Sequence, residues 1–365
     1  MTEPRRTFAS QDGECSGPCQ HDARNGKARF GVQSPRKRWL PRVFPTPIQR
    51  GPGPAILMYH QVADLVDDHW SMAVQPANFA AHLQILRDRC RPVSLPHLTT
   101  DLIRGQLDSR SVVVTFDDGY RDNLVNARPL LERYDIPATM FIVGDAIGRG
   151  DEFWWDQLHH LFLGDHPLPD SLQLQLAGRN RSWRISDEEA SLGAPPRWTR
   201  SRLHRTLWHE LRLLPASERF EVISTLREWA ALPVAVRPDR QVMTEAELLS
   251  LASDSNIEIG AHTATHPRMS ALDPAEQVAE VQRGKARLEE ILGTRVTSFS
   301  YPFGGTFDVS RASVAAVREA GFVRACTMRN AMVRPRTNLL RLPRLYVGNW
   351  SGDEFERRMH SWLPA

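Results

Sequence analysis

Cysteine is scarce in this chain: four in 365 residues, at Cys15, Cys19, Cys90 and Cys326. That number excludes a disulfide-stapled small domain, and free thiols in a reducing compartment are the expectation. Cys15 and Cys19 with His21 fall short of a four-ligand zinc site. Long apolar runs are also missing, since no stretch approaches the roughly 18 residues that span a bilayer. Arg5-Arg6 is not followed by an apolar segment of the secretory kind, so a cytoplasmic protein is expected. No large excess of one charge exists either, the net being +3. What excess there is lies at the front. Residues 1–50 hold ten Lys and Arg against four Asp and Glu, so their +6 leaves −3 for the remainder. We read residues 1–50 as a basic, disordered tail. Weak contact with a phospholipid surface or a phosphorylated lipid carrier is its alternative role. No nucleic-acid partner is expected, and no internal repeat is visible.

The chain does contain a β-branched run, Val112-Val-Val-Thr115, that ends in Phe116 and two adjacent carboxylates, Asp117 and Asp118. Gly119 follows and permits a sharp turn. A buried strand of this kind delivers its acids to the rim of a sheet or barrel, where parallel α/β folds build their sites. Adjacent side chains at a strand end diverge, so one acid can ligate a metal while the other acts as a base. The competing reading is a pair of turn-forming aspartates that cap the next helix. A second apolar strand, around Ile257 and Ile259, ends at Gly260 and leads to His262 and His266. On a helical turn these two would share a face, as two imidazoles gripping one cation must. With Asp118 they form a three-ligand set with a position open for water.

Around these motifs the pattern alternates strand and helix, which argues for parallel β/α architecture. Strands are expected at 55–60, 112–116, 138–143, 257–261, near 297–301 and at 322–327, with 340–347 closing a barrel and 92–95 a short strand or edge. Helices are expected at 78–89, 123–134, 244–252, 274–292 and 310–320. Thr244 and Glu247 spell a capping box, and Gly293 a helix stop.

Thr115-Phe-Asp-Asp-Gly-Tyr120 and His262-Thr-Ala-Thr-His266 resemble the first two motifs of the polysaccharide deacetylase family, the NodB homology domain of carbohydrate esterase family 4. Ile136–Ile142, Arg121-Asp-Asn123 and Ser298–Gly304 fit the same pattern, so the resemblance covers about residues 53–150 and 245–350. It implies an α/β fold, a deformed (β/α) barrel of NodB type, and one divalent metal, usually Zn2+. It places the metal on Asp118, His262 and His266 and makes Asp117 the general base. Phe303 would offer a backbone N–H to the oxyanion, with Tyr301 and Tyr120 beside the substrate. The family's late Leu-x-His motif, source of its general acid, is absent, because residues 340–347 contain no histidine. Tyr59-His60 at the end of the first strand resembles the permuted, poly-N-acetylglucosamine deacetylase-like subgroup, which makes His60 the acid. The alternative is a structural strand-end histidine.

Two departures from the family stand out. Ser300 occupies the place of the arginine that orients the catalytic aspartate, and Phe303 that of a tyrosine. Arg324, Arg341 and Arg344 are candidates for the missing cation. The family's fourth motif is indistinct at 322–327. Within a domain spanning 51–360, residues 151–240 are least family-like and read as a mainly helical insertion that forms a lid or wall. Its Trp154, Trp155, Trp208 and Trp229 either stack on sugar rings or form a small core of their own.

The expected activity is hydrolytic removal of N-acetyl groups from amino sugars of a surface polysaccharide or its lipid- or nucleotide-linked precursor. The alternatives are a sugar O-acetyl esterase, a small-amide deformylase and a non-catalytic glycan-binding protein.

Overall fold

The computed structural model describes residues 53–186, 198–233, 236–360 and 362. The expected basic tail and the Cys15, Cys19 and His21 group lie outside them. Eight strands form one parallel sheet: β1 (Ala55–Tyr59), β2 (Arg91–Pro92), β3 (Ser111–Phe116), β4 (Ala138–Ile142), β5 (Ile257–Ala261), β6 (Ser298–Ser300), β7 (Arg324–Cys326) and β8 (Leu345–Tyr346). The lateral order is β7-β6-β5-β4-β3-β1-β8, and β2 pairs with the first two residues of β3. The sheet curls until its edges nearly meet. Leu342 bridges to Cys326 of β7, and three residues later Leu345 pairs with Leu57 of β1. This is a deformed parallel (β/α) barrel, as expected.

Side-chain alternation along the strands sorts the residues into two layers. Leu57 and Tyr59, Val112, Val114 and Phe116, Ile257, Ile259 and Ala261, Phe299, Ala325 and Leu345 share one core with the surrounding helices. The alternate positions, Ile56, Val113, Phe141, Cys326 and Leu342, pack together inside the barrel. Gly260 falls on the inner face, where a Cβ would lie 2.5 Å from the Phe141 ring. Continuing this parity past the strand ends puts His60, Asp117 and His262 on the inner side, together with Ser300 and Arg344. Tyr301 has the opposite parity.

Most helices form where their signals stand. Helix Glu245–Ala252 carries the Thr244–Glu247 capping box, and helix Pro274–Leu292 ends at Gly293 in the left-handed conformation. The stretch after Asp122 opens as a π-turn, Asn123–Ala127, before the α-helix Arg128–Tyr134. Pro129 supplies no N–H for regular α bonding there. The short edge strand expected at 92–95 forms as β2, and helix Leu95–Arg104, which the pattern did not mark, follows it. Ser94 caps it, and Pro96 sits in the first turn, where the absent N–H costs nothing.

The segment between β4 and β5 contains helices Trp154–Leu163, Arg200–Leu211 and Ala216–Trp229, and also an antiparallel hairpin, Ser171–Leu176 with Arg179–Arg184. The hairpin adds a strand pair to an insertion that is otherwise helical, as expected. Its signal was legible in Leu172, Leu174 and Leu176, which alternate with polar residues and are all buried. These elements share a core separate from the barrel's, built on Phe153, Trp154, Trp155, Phe162, Leu203 and Leu207. No helix among the described residues is long and apolar enough to cross a membrane.

Candidate metal centre and active site

Three donors converge at the C-terminal rim of β3 and β5. The Nε2 atoms of His262 and His266 lie 3.6 and 3.4 Å from Asp118 Oδ1, and all three residues are buried. Asp118 Oδ1 and His266 Nδ1 have no hydrogen-bond partner. Burial, then the charges of Asp117 and Asp156, push the Asp118 carboxyl well above its usual range. Burial lowers both imidazoles. Two neutral imidazoles and a carboxylate with an orphaned oxygen form a donor set that suits a borderline divalent cation such as Zn2+. His262 Nδ1 sits 2.7 Å from the Ser300 carbonyl. That bond fixes the tautomer and leaves Nε2 as the free donor.

The histidines do not ride on a helical turn, as their spacing suggested. Thr263 (φ 65°) and His266 (φ 56°) are left-handed, and the segment is an irregular loop. Several bonds hold it there. Gly144 N–H donates to the Thr263 carbonyl and Asp145 N–H to that of Ala264, while Glu280 accepts from Thr265 N–H and Oγ1. Helix Pro274–Leu292 presses close at Gly284, where a Cβ would lie 2.4 Å from the Thr263 carbonyl carbon. Asp118 (φ 77°) and Phe303 (φ 59°) are left-handed too. Four non-glycine residues in this region surround one site, each at a cost of about 1–3 kcal/mol.

Asp117 is gripped by Arg344. The guanidinium reaches Oδ1 at 2.7 Å and Oδ2 at 2.6 Å, and also binds Ser300 Oγ, Thr115 Oγ1 and the Thr327 carbonyl. Of the three arginines open in the sequence, Arg344 is thus the one on the aspartate. Arg324 binds Glu258, and Arg341 the Val309 carbonyl. Ser300 is small enough to let Arg344 cross the barrel, and its hydroxyl joins the clamp. Burial alone would raise the Asp117 carboxyl, but Arg344, then His262 and His60, hold it below the usual carboxylate range.

His60 follows β1 beside Asp117, because Tyr59 is in register with Phe116. It is buried and its Nδ1 is unpartnered. Burial lowers its pKa to about 4 against the opposing pull of Asp117. The Arg121-Asp122-Asn123 stretch explains its placement. Asn123 Nδ2 donates to the His60 carbonyl, and Asp122 accepts from Val62 N–H and Gln61 Nε2. Phe303 presents its ring to His266 at 4.9 Å, and none of the backbone bonds among the described residues uses its N–H.

Two expectations need correction. Tyr301 lies on the helix-facing side with no exposed surface, and its hydroxyl donates to the Leu340 carbonyl, so it does not reach substrate. Tyr120 is also buried. Its hydroxyl donates to Asp156 at 2.6 Å and accepts from Trp155 Nε1 at 2.9 Å, tying the insertion to the strand end. The insertion lies against the site, on the side where a lid or wall was expected. Trp155 packs on His266 at 4.6 Å, and Trp208 on Phe303 at 6.0 Å. Trp208 lies between Trp70 and the Arg212 guanidinium, so it packs as wall and is not an open sugar platform.

Residues 104–168 and 233–325 match the family profile described as polysaccharide deacetylase. YxkH of Bacillus subtilis (strain 168), whose name assigns it to that family, is 30% identical over 126 residues. The match covers 33% of this chain and 43% of YxkH, so the chain spans under half of that curated relative. Among solved structures, IcaB from Ammonifex degensii superposes over 86% of this chain and 98% of its own, with TM-score 0.54 at 18% identity. The Streptococcus pyogenes deacetylase PplD, in complex with acetate, covers 86% and 100% with TM-score 0.54 at 16% identity. A de-N-acetylase from Aggregatibacter actinomycetemcomitans covers 84% and 98% with TM-score 0.52 at 14% identity. At these identities the likeness is one of fold. The family profile skips residues 169–232, the hairpin and the two following helices.

Proposed function

We propose that this chain, whose residues 104–168 and 233–325 match the polysaccharide deacetylase profile, is a metal-dependent hydrolase of N-acetylated amino sugars. Its substrate is a polysaccharide or the lipid- or nucleotide-linked precursor of one. The supporting observation is the convergence of Asp118, His262 and His266 beside an Asp117 clamped by Arg344. A cation held by the three donors supplies Lewis-acid polarisation of the acetyl carbonyl and lowers the pKa of nearby water towards ~7.

The remaining work falls to the chain. Asp117, kept ionised by Arg344, takes a proton as water attacks the acetyl carbon. The Phe303 N–H donates to the developing oxyanion. His60 delivers a proton to the amine nitrogen as the C–N bond breaks, giving acetate and a free amino sugar. Trp155, Phe303 and Trp208 exclude water from one side of the centre.

One observation favours a second reading. A His60 lowered to about 4 is a poor proton donor at neutral pH, and an O-acetyl ester asks less of the acid than an amide does. Acetate release from N-acetylglucosamine oligomers by zinc-loaded protein, beside Asp117→Asn, tests the first reading. Release by the wild type alone is expected. Release only from O-acetylated sugars, with His60→Gln little impaired, would transfer the assignment to the esterase.

A further inference from the structure

The insertion brings two arginines to the metal centre, and neither has a carboxylate partner among the described residues. Arg212 follows helix Arg200–Leu211 and sits over two rings, its Cζ 5.1 Å from the centre of Trp208 and 5.9 Å from that of Phe303. Its Nε is buried without a partner. The acid nearest in effect, Asp308, is already bound to Arg268 Nε at 2.7 Å. Arg219, on helix Ala216–Trp229, is only 3% exposed. Its Nη2 donates to the Thr265 carbonyl inside the His262–His266 loop at 2.7 Å, its Cζ lies 5.4 Å from the Trp154 ring centre, and its Nη1 is unpartnered. Glu280, the acid that acts on it, is engaged by Thr265 and Arg283.

A buried or aromatic-backed guanidinium without a counter-ion favours an anion, and its planar fork suits carboxylate or phosphate oxygens. The Phe303 ring centre is 4.9 Å from that of His266 and 5.9 Å from Arg212 Cζ, so the guanidinium lies within about 11 Å of the metal ligand. One sugar residue bridges that gap. Arg268 neutralises Asp308 nearby, which leaves the Arg212 charge without a competing carboxylate.

We propose that Arg212 forms an anion-binding subsite, with Arg219 adding positive charge beside the His262–His266 loop, so that the preferred substrate carries a phosphate or carboxylate within about one sugar residue of the acetamido group. The inference rests on the deacetylase reading and narrows its substrate. Residues 200–229 thereby act in substrate choice as well as in covering the site.

Isothermal calorimetry on the full zinc-loaded chain tests it with three ligands: neutral N-acetylglucosamine trimer, UDP-N-acetylglucosamine, and a disaccharide of N-acetylglucosamine and glucuronic acid. At least one anionic ligand is expected to bind tenfold or more tighter than the trimer, and which one does so identifies the source of the anion. In Arg212→Gln that advantage should fall to threefold or less; Arg212→Glu should remove it. Both variants alter a half-buried side chain with no ion pair, and a wild-type thermal melt shows that they fold. Equal affinity for all three ligands would overturn the subsite. So would an anion preference unchanged in Arg212→Gln, which would put the anion on the metal. Binding is read without turnover. Acetate release without anion preference therefore sinks the subsite alone, whereas anion preference without acetate release from any ligand sinks the deacetylase reading.

Discussion

Arg344 shows what a single residue can contribute to a rim of charges. It is fully buried, and two of its five hydrogen bonds go to Asp117. Replacing it by alanine strands a buried carboxylate, which we expect to cost about 3–5 kcal/mol, read as a fall in the urea midpoint. Arg344→Lys keeps the charge and loses the bidentate fit. Since Arg344 opposes the upward push of burial on Asp117, the lysine variant should move the acid limb of the pH–rate profile to higher pH by about one unit or more. An unmoved acid limb would mean that Asp117 is not the titrating base. Asp117→Asn, which removes the base and leaves the three metal donors in place, should lower kcat by about 10²–10⁴ while bound zinc stays stoichiometric.

A helix holds the loop that bears His262 and His266, so the element scale decides the geometry of the proposed metal ligands. Gly284 of helix Pro274–Leu292 lets that helix lie against Thr263, and a methyl group there would collide with backbone. Gly284→Ala is expected to lose about 1–3 kcal/mol and to weaken zinc binding measurably, because the displaced segment holds both histidines. Gly293, at the end of the same helix, needs its left-handed conformation, but nothing lies within 4 Å of its would-be Cβ. Gly293→Ala should cost about 1–2 kcal/mol and leave zinc affinity unchanged. Calorimetric titration with zinc separates the two. Equal losses of affinity would mean that helix stability alone, and not the close approach, positions the loop.

For the molecule as a whole, stability is linked to metal and to protons. Zinc at a thousandfold excess over its Kd should add about 4 kcal/mol to unfolding, and Asp118→Asn should erase the added stability. A thermal melt that zinc does not move would argue against a resident cation. Proton linkage has a separate origin in His82. This residue is buried, its Nε2 lies 2.8 Å from the Trp350 carbonyl and its ring stacks on Phe355, joining helix Pro76–Arg89 to helix Gly352–His360. Burial lowers its pKa to about 4. Between pH 6.5 and 4 the unfolded chain therefore takes up a proton that the folded chain refuses. Stability contributed by this group is lost as pH falls through that window, by up to about 3 kcal/mol. Asp122 and Asp156, raised to about 6 by burial, act in the opposite sense between about pH 4 and 6. The difference between wild type and His82→Gln isolates the histidine: the variant should lose less stability between pH 7.5 and pH 5. Parallel losses would remove His82 as the cause.

By itself the sequence determined the central strands of the sheet and which donors stand at their ends. Apolar runs at Val112–Phe116 and Ile257–Ala261 are local signals, and a strand that stops at Asp117 or His262 stops there in any packing. Capping at Thr244 and termination at Gly293 were equally legible, because hydrogen bonds within a few residues decide them. Tertiary structure decided the rest. Which of three arginines reaches Asp117 depends on barrel closure, which brings Arg344 in from a strand more than 200 residues away in sequence. Tyr301 and Ser300 are neighbours in the chain, and only the face each presents separates a core residue from one that touches the Asp117 carboxylate. The left-handed turns at Asp118, Thr263, His266 and Phe303 carry no composition signal, since contacts with β4 and helix Pro274–Leu292 hold conformations that isolated residues avoid. The arginines of the insertion acquire meaning in the same way: only the packing of residues 200–229 against the rim places two unpaired cations beside a metal centre.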